Sequence, residues 1–399
     1  MSRRTFGTVR QLPSGRWQAR YRDISGRQHS APATFATKAA GNRWLARAQA
    51  DMDRGDWLDP SAGTETLGRY AERWVETRLV RGRPLAPRTT ELYRWQLKKH
   101  ILPTLGTTQL RHLEAVTVRT WYGHLSGAEG PGQVTAAKCY RLLRAICHTA
   151  MDEGLMLKNP CSIRGAGQEH SRERPMLTVA QVDALAGAVQ VRWRALVLLA
   201  AWCGLRFGEL AALTRADLDI DAGVVHVRAS AVTLSRGRRH MGPPKSPAGI
   251  RSVAIPPHIL TDLRDHLEDF VDRGRADLVF LGPNGAPLDN GNFNRIVWRP
   301  ACAAAGVPAG THLHDLRGVS ATLAARQGAT TRELMRRLGH STPDMALRYQ
   351  RAEAERDVAI ARAMSEARAS TEARASVGVG APEGDRGHEL ALRGTNRRP

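Results

Sequence analysis

The chain has 399 residues, 42% of them hydrophobic, which is enough for two or three domains with cores of their own. Its 59 lysines and arginines against 38 acids give a net charge of +21 and a pI near 10.9, which points to a polyanionic partner, nucleic acid foremost. Other classes are excluded: the longest apolar run, Ala195 to Cys203, is too short to span a bilayer, no apolar stretch follows the basic N-terminus to make a signal peptide, and the five cysteines (Cys139, Cys147, Cys161, Cys203, Cys302) form no CxxC pair and read as buried thiols of a reducing cytosol.

Residues 1–59 read as a small three-stranded sheet backed by one helix. In "GRWQARYRD", Trp17, Ala19 and Tyr21 alternate with Arg16, Gln18, Arg20 and Arg22, and turn residues flank the run on both sides. Thr37 is the expected N-cap of the helix that follows. The apolar sheet face packs on that helix. The basic face suits a DNA major groove, with a solvated outer face as the plainer alternative.

"DPSAGTE" is a linker, and residues 66–167 carry helical patterns. "VTAAKCYRLLRAICHTAMDEG" lines up Tyr140, Leu143, Ile146 and Ala150 on one stripe. "RGRPLAPRTTELYRWQLKKH" mixes bases, Lys98 and Lys99 among them, with Tyr93 and Trp95. The expectation is a basic helical bundle.

A second linker, "GQEHSRERP", leads to a third segment, 174–365, which opens with Thr178 and Gln181 as a capping box. Buried helices come first, then the strand stretch "GVVHVRASAV", a basic loop holding Arg236, Arg238, Arg239 and Lys245, the strand "SVAI", and helices again. Residues 366–399 are low in complexity and read as a disordered tail. The fold class expected is mixed α+β, mainly α: a small sheet-plus-helix N-terminal domain, a helical domain, and a mainly helical third domain with a small antiparallel sheet.

Three motifs in the third segment carry chemistry. "CGLRFGELAAL" sets Arg206 and Glu209 at i, i+3, on one helix face, with Gly204 breaking the helix before them. Alone, such a pair is usually a surface ion pair. "THLHDLRGVSAT" sets His314 and Arg317 at the same spacing, where two cations repel unless an anion lies between them. His312 and His314 lack the acids or cysteines that would complete a metal site. "LMRRLGHSTPDMALRYQ" supplies His340 and, nine residues on, Tyr349, the sole tyrosine after Tyr140. Gly339 suits a helix C-cap, and Pro343 the first turn of the next helix.

Together these residues suit phosphodiester cleavage without a metal. Arginine forks match two non-bridging phosphate oxygens, and a tyrosine can store the bond as an ester. The leaving 5′ oxygen needs a proton that arginine, with a pKa above about 12, holds too tightly. Lys245 is the one lysine after Lys158.

In the order Arg–Lys–His-x-x-Arg–His–Tyr, these motifs resemble the tyrosine recombinases of the phage integrase family across most of residues 178–355. The resemblance implies that Arg206 and Arg317 clamp the scissile phosphate and that Lys245 is the general acid. It implies that His314 assists proton transfer, His340 hydrogen-bonds the phosphate, Glu209 supports the site and Tyr349 is the nucleophile. Residues 66–167 resemble the family's SAM-like core-binding domain, and residues 1–59 its AP2-like arm-binding domain. The implied protein is a site-specific integrase that forms a 3′-phosphotyrosyl link and exchanges strands through a Holliday junction. It would act as a homotetramer on double-stranded DNA attachment sites in the bacterial cytoplasm, on the nucleoid, often with a host DNA-bending protein and an excision factor. No cofactor, metal or membrane is implied. Two alternatives stay open: a nicking-and-resealing topoisomerase, and a DNA-binding regulator with a vestigial site. The separate N-terminal module disfavours the first and the intact six-residue set the second.

Overall fold

In the computed structural model, which describes residues 6–55, 57–59, 62–169, 176–244, 246–282, 285–347, 360–362, 364–366 and 368–369, the N-terminal alternation forms an antiparallel sheet. Its strands are β1 (Thr8–Gln11), β2 (Trp17–Arg22) and β3 (Gln28–Ser30), in that order. Ala19 and Tyr21 are buried, and the helix α1 (Lys38–Asp53) adds Leu45 and Ala48 to the same small core. Thr37 caps α1 by accepting from Ala40 N.

A second core is helical. It gathers α2 (Leu67–Thr77), α3 (Pro87–Gln96), a wider π-type turn (Leu97–Ile101), α4 (Leu102–Leu105), α5 (Ala115–Ser126) and α6 (Gln133–Asp152). Tyr140, Leu143, Ile146 and Ala150 all point into it, as the stripe requires. Between α2 and α3 the chain makes a two-residue ladder, β4 (Leu79–Val80) with β5 (Arg83–Pro84).

The third segment begins with α7 (Val179–Ala188), opened by the Thr178–Gln181 capping box, and with α8 (Val191–Trp202), which is buried almost throughout. The short helix α9 (Phe207–Ala212) follows. Strands β6 (Leu218–Asp219), β7 (Val224–Val227) and β10 (Arg251–Ala254) form an antiparallel sheet in the order β10-β7-β6. The stretch expected as one strand is two. β7 stops at Val227 because β10's register runs out there (Arg251↔Val227), and β8 (Ser230–Thr233) pairs instead with β9 (Arg239–Gly242). The first half of the expected basic loop is therefore a hairpin. Helices α10 (Leu260–Phe270), α11 (Asn290–Phe293), α12 (Arg299–Ala304), α13 (Asp315–Arg326), α14 (Thr331–Leu338) and α15 (Pro343–Leu347) follow.

The chain divides into two compact units, Met1–Pro175 with Ala231–Met241, and Met176–Ser230 with Gly242–Pro399. The β8–β9 hairpin thus packs in the first unit. There both carboxylate oxygens of Glu91 on α3 accept from Ser235 N (3.0 and 3.1 Å), and Arg238 pairs with Glu91 at 3.7 Å. Helical backbone is described at 360–362, 364–366 and 368–369, and the rest of the expected tail lies outside the described residues. No helix among the described residues is long and apolar enough to cross a membrane.

Candidate active site

Helix α8 ends where Gly204 takes φ +66°. A side chain there would be strained, and its Cβ would stand 2.7 Å from Leu338 Cδ2. The turn delivers Arg206 just ahead of α9, as its N-cap, and not on the helix face that the i, i+3 spacing suggested. The pair still meets. Glu209 folds back so that Oε2 accepts from Arg206 N at 2.9 Å and Oε1 from Arg206 Nη1 at 2.7 Å. Glu209 is buried, which sequence reasoning did not anticipate for a surface-type ion pair.

Arg251 explains the burial. It enters from β10, is itself buried, and grips Glu209 with two parallel bonds, Nη1 to Oε1 at 3.1 Å and Nη2 to Oε2 at 2.9 Å. Burial pushes the Glu209 carboxyl upward. The Arg251 hydrogen bonds and charge, joined by Arg206, more than offset this and hold it below the ordinary carboxylate range.

The remaining arginine contacts converge on the end of α14, where Gly339 adopts the left-handed conformation (φ 64°) and caps the helix. Three successive carbonyls are each taken by a different arginine. Arg337 O accepts from Arg251 Nε at 2.8 Å, Leu338 O from Arg317 Nη2, and Gly339 O from Arg206 Nη2 at 3.3 Å. Arg317 also donates Nη1 to Gly204 O and is only 2% exposed. A helix C-terminus offers unpaired carbonyls and a partial negative charge, so it can seat guanidinium groups without a carboxylate.

His340 follows directly, 3% exposed, its backbone N–H donating to Met335 O at 3.0 Å. Burial first, then Arg317, Arg206, Arg251 and His314, press its imidazole down to about 4 from the usual 6.5. It is neutral at pH 7, and Nδ1 has no hydrogen-bond partner among the described residues. His314 is exposed at the start of α13, close enough to act on His340 through charge.

The structure therefore brings Arg206, Glu209, Arg317 and His340 together, with His314 within electrostatic reach. Lys245 and Tyr349 lie outside the described residues. Arg251 was missed. Its signal was the strand alternation, since it shares the buried register of Val253 while Ser252 and Ala254 are exposed. An arginine in a buried strand position calls for a buried acid. Chemically, three guanidinium groups gather around residues 337–339, two of them bonded to Glu209, and such a positive site suits an anion.

The other expected DNA contacts are spread over the first unit. Arg16 and Arg22 are exposed, and each donates to a nearby loop, Arg16 to Thr34 (2.6 and 2.7 Å) and Arg22 to Gly26 O (2.7 Å). Gln18 accepts from Arg10 at 3.1 Å, and Arg20 is partly buried. Lys98, Lys99 and Arg238 are exposed and Arg239 is partly buried, while the Arg236 side chain lies outside the described set.

Two family models match the chain in order: "Phage integrase, N-terminal domain" over residues 5–54 and "Phage integrase family" over residues 175–356. The chain is 40% identical over 373 residues to a putative prophage phiRv2 integrase of Mycobacterium tuberculosis, covering 91% of this chain and 96% of that protein. It is 35% identical over 378 residues to the integrase of Mycobacterium phage D29, covering 91% and 97%. Among solved structures it shares a fold with a Tn1549 transposon integrase bound to circular intermediate DNA (TM-score 0.65, 19% identity, 75% of this chain and 99% of that one). It shares one also with a lambda integrase tetramer bound to a Holliday junction (TM-score 0.54, 19% identity, 88% and 97%). The chain belongs to the phage integrase family and is a DNA-binding enzyme of recombination, a tyrosine recombinase.

Proposed function

We propose that Tyr349 is the nucleophile of this recombinase and that Arg206, Arg251, Arg317, Glu209 and His340 form the phosphate site it attacks. Arg206 and Arg317 neutralise two non-bridging oxygens, and neutral His340 adds a hydrogen bond from its ring. The Tyr349 oxygen attacks phosphorus while its proton passes toward His314. Lys245 gives a proton to the leaving 5′ oxygen. The products are a 3′-phosphotyrosyl ester and a 5′ hydroxyl. The ester keeps the bond energy, so resealing by another 5′ hydroxyl requires no nucleotide. The observation that carries this reading is the gathering of three arginines and one neutral histidine around residues 337–340, nine residues ahead of Tyr349.

The relatives named as prophage and phage integrases support integration of a phage genome or similar mobile element, and excision is the reverse reaction. The lambda integrase tetramer on a Holliday junction supports four copies exchanging strands between two attachment sites. Residues 1–59 would hold arm-type DNA, 66–167 the core site, and 174–365 the scissile phosphate. Host bending and excision proteins complete the assembly in the bacterial cytoplasm.

A nicked duplex carrying the element's junction sequence tests the proposal. Wild type forms an SDS-stable covalent adduct, and Tyr349→Phe binds the duplex with unchanged affinity and forms none. An adduct that survives the substitution moves the nucleophile elsewhere. Relaxation of a plasmid without any junction sequence would favour the topoisomerase alternative.

A further inference from the structure

The β4–β5 ladder takes no part in the site above. Its register pairs Leu79 with Pro84 and Val80 with Arg83, and Arg81 (φ 52°) and Gly82 (φ 73°) close the turn, both left-handed. Left-handed backbone suits a tight hairpin turn, but an arginine adopts it only under strain. Arg81 is the one non-glycine with positive φ among the described residues. Leu79 and Val80 are 56% and 51% exposed, and Arg81 and Arg83 have no carboxylate partner among the described residues.

The surrounding chain is just as one-sided. From Arg78 to Lys99 there are seven lysines and arginines and one carboxylate, Glu91. That carboxylate is already engaged by Ser235 N, Arg88 (3.5 Å) and Arg238. A narrow ribbon thus presents two apolar side chains beside two uncompensated cations. The partner must offer anions on its walls and an apolar slot between them. The minor groove of duplex DNA does both. β-Ribbon proteins read the minor groove as well as the major, and apolar wedges flanked by arginine enter it at base steps.

We propose that the β4–β5 hairpin enters the minor groove of duplex DNA, with Arg81 at its tip toward the phosphates, Val80 and its cross-strand neighbour Arg83 on one face, and Leu79 on the other. This rests on the recombinase reading only in taking duplex DNA as the substrate. The full chain is titrated against a fluorescein-labelled, A·T-rich duplex three helical turns long, followed by anisotropy. The Arg81→Ala/Arg83→Ala variant lowers the slope of log affinity against log salt by about 1.8, at roughly 0.9 per phosphate contact. Saturating the duplex with netropsin, which fills the minor groove, weakens wild type roughly tenfold and leaves Leu79→Ser/Val80→Ser nearly unaffected. An unchanged slope, or equal netropsin sensitivity in wild type and the serine variant, overturns the proposal and leaves the recombinase reading intact. Failure of wild type to bind any duplex sinks both.

Discussion

His340 is a buried imidazole ringed by cations, and its pKa near 4 has a measurable consequence. The folded protein keeps the ring neutral, while the unfolded chain binds a proton at the ordinary 6.5. Between these values the unfolded state holds more protons, so stability rises with pH. The contribution is fully present above pH 6.5 and is lost as pH falls through about 4, at most about 3 kcal/mol. Urea midpoints measured across that window drop on acidification, and His340→Gln flattens the curve; parallel curves would show that the ring titrates normally. The Arg206–Glu209 contact was legible because only three residues separate its partners. The partner of Arg251 was not, because Glu209 lies 42 residues away and no local pattern links them. The depth of Arg317 was hidden for the same reason, since its acceptors sit 113 and 21 residues away.

Helix ends do most of the positioning. The turn at Gly204 stops α8, offers its carbonyl to Arg317, and leaves no room for a methyl group beside Leu338. Gly204→Ala combines a left-handed alanine with that clash and destabilises by about 2 kcal/mol or more. Calorimetry should show a melting point lower by about 4–8 °C and a loss of covalent adduct. Gly187→Ala, exposed in the last turn of α7 with open space around it, is the control and leaves the melting point equal or higher. The caps at Thr37, Thr178 and Gly339 were readable in the sequence, because a cap is a contact between near neighbours. The β8–β9 hairpin was not. Its "LSRGRRH" turn has the composition of a solvated loop, and the acid that holds the turn, Glu91, lies 144 residues from Ser235.

Over the whole molecule, charge is the feature that sequence alone conveyed most directly. A net +21 implies many phosphate contacts, so duplex affinity falls by about three orders of magnitude or more between about 50 and 200 mM salt. Anisotropy titrations at several ionic strengths would check this, and a flat response would mean that the charge serves solubility alone. The mainly helical class with small antiparallel sheets was also legible, since it rests on periodicity within each segment. The fastening of three guanidinium groups to consecutive peptide oxygens at 337–339 was not, and it sets how the enzyme can fail. Those oxygens belong to the main chain, so replacing the side chains of that stretch leaves the fastening atoms in place. Shifting the stretch by a single residue, through an insertion or deletion, would unseat all three cations together, and competence would vanish abruptly with no partly active form between.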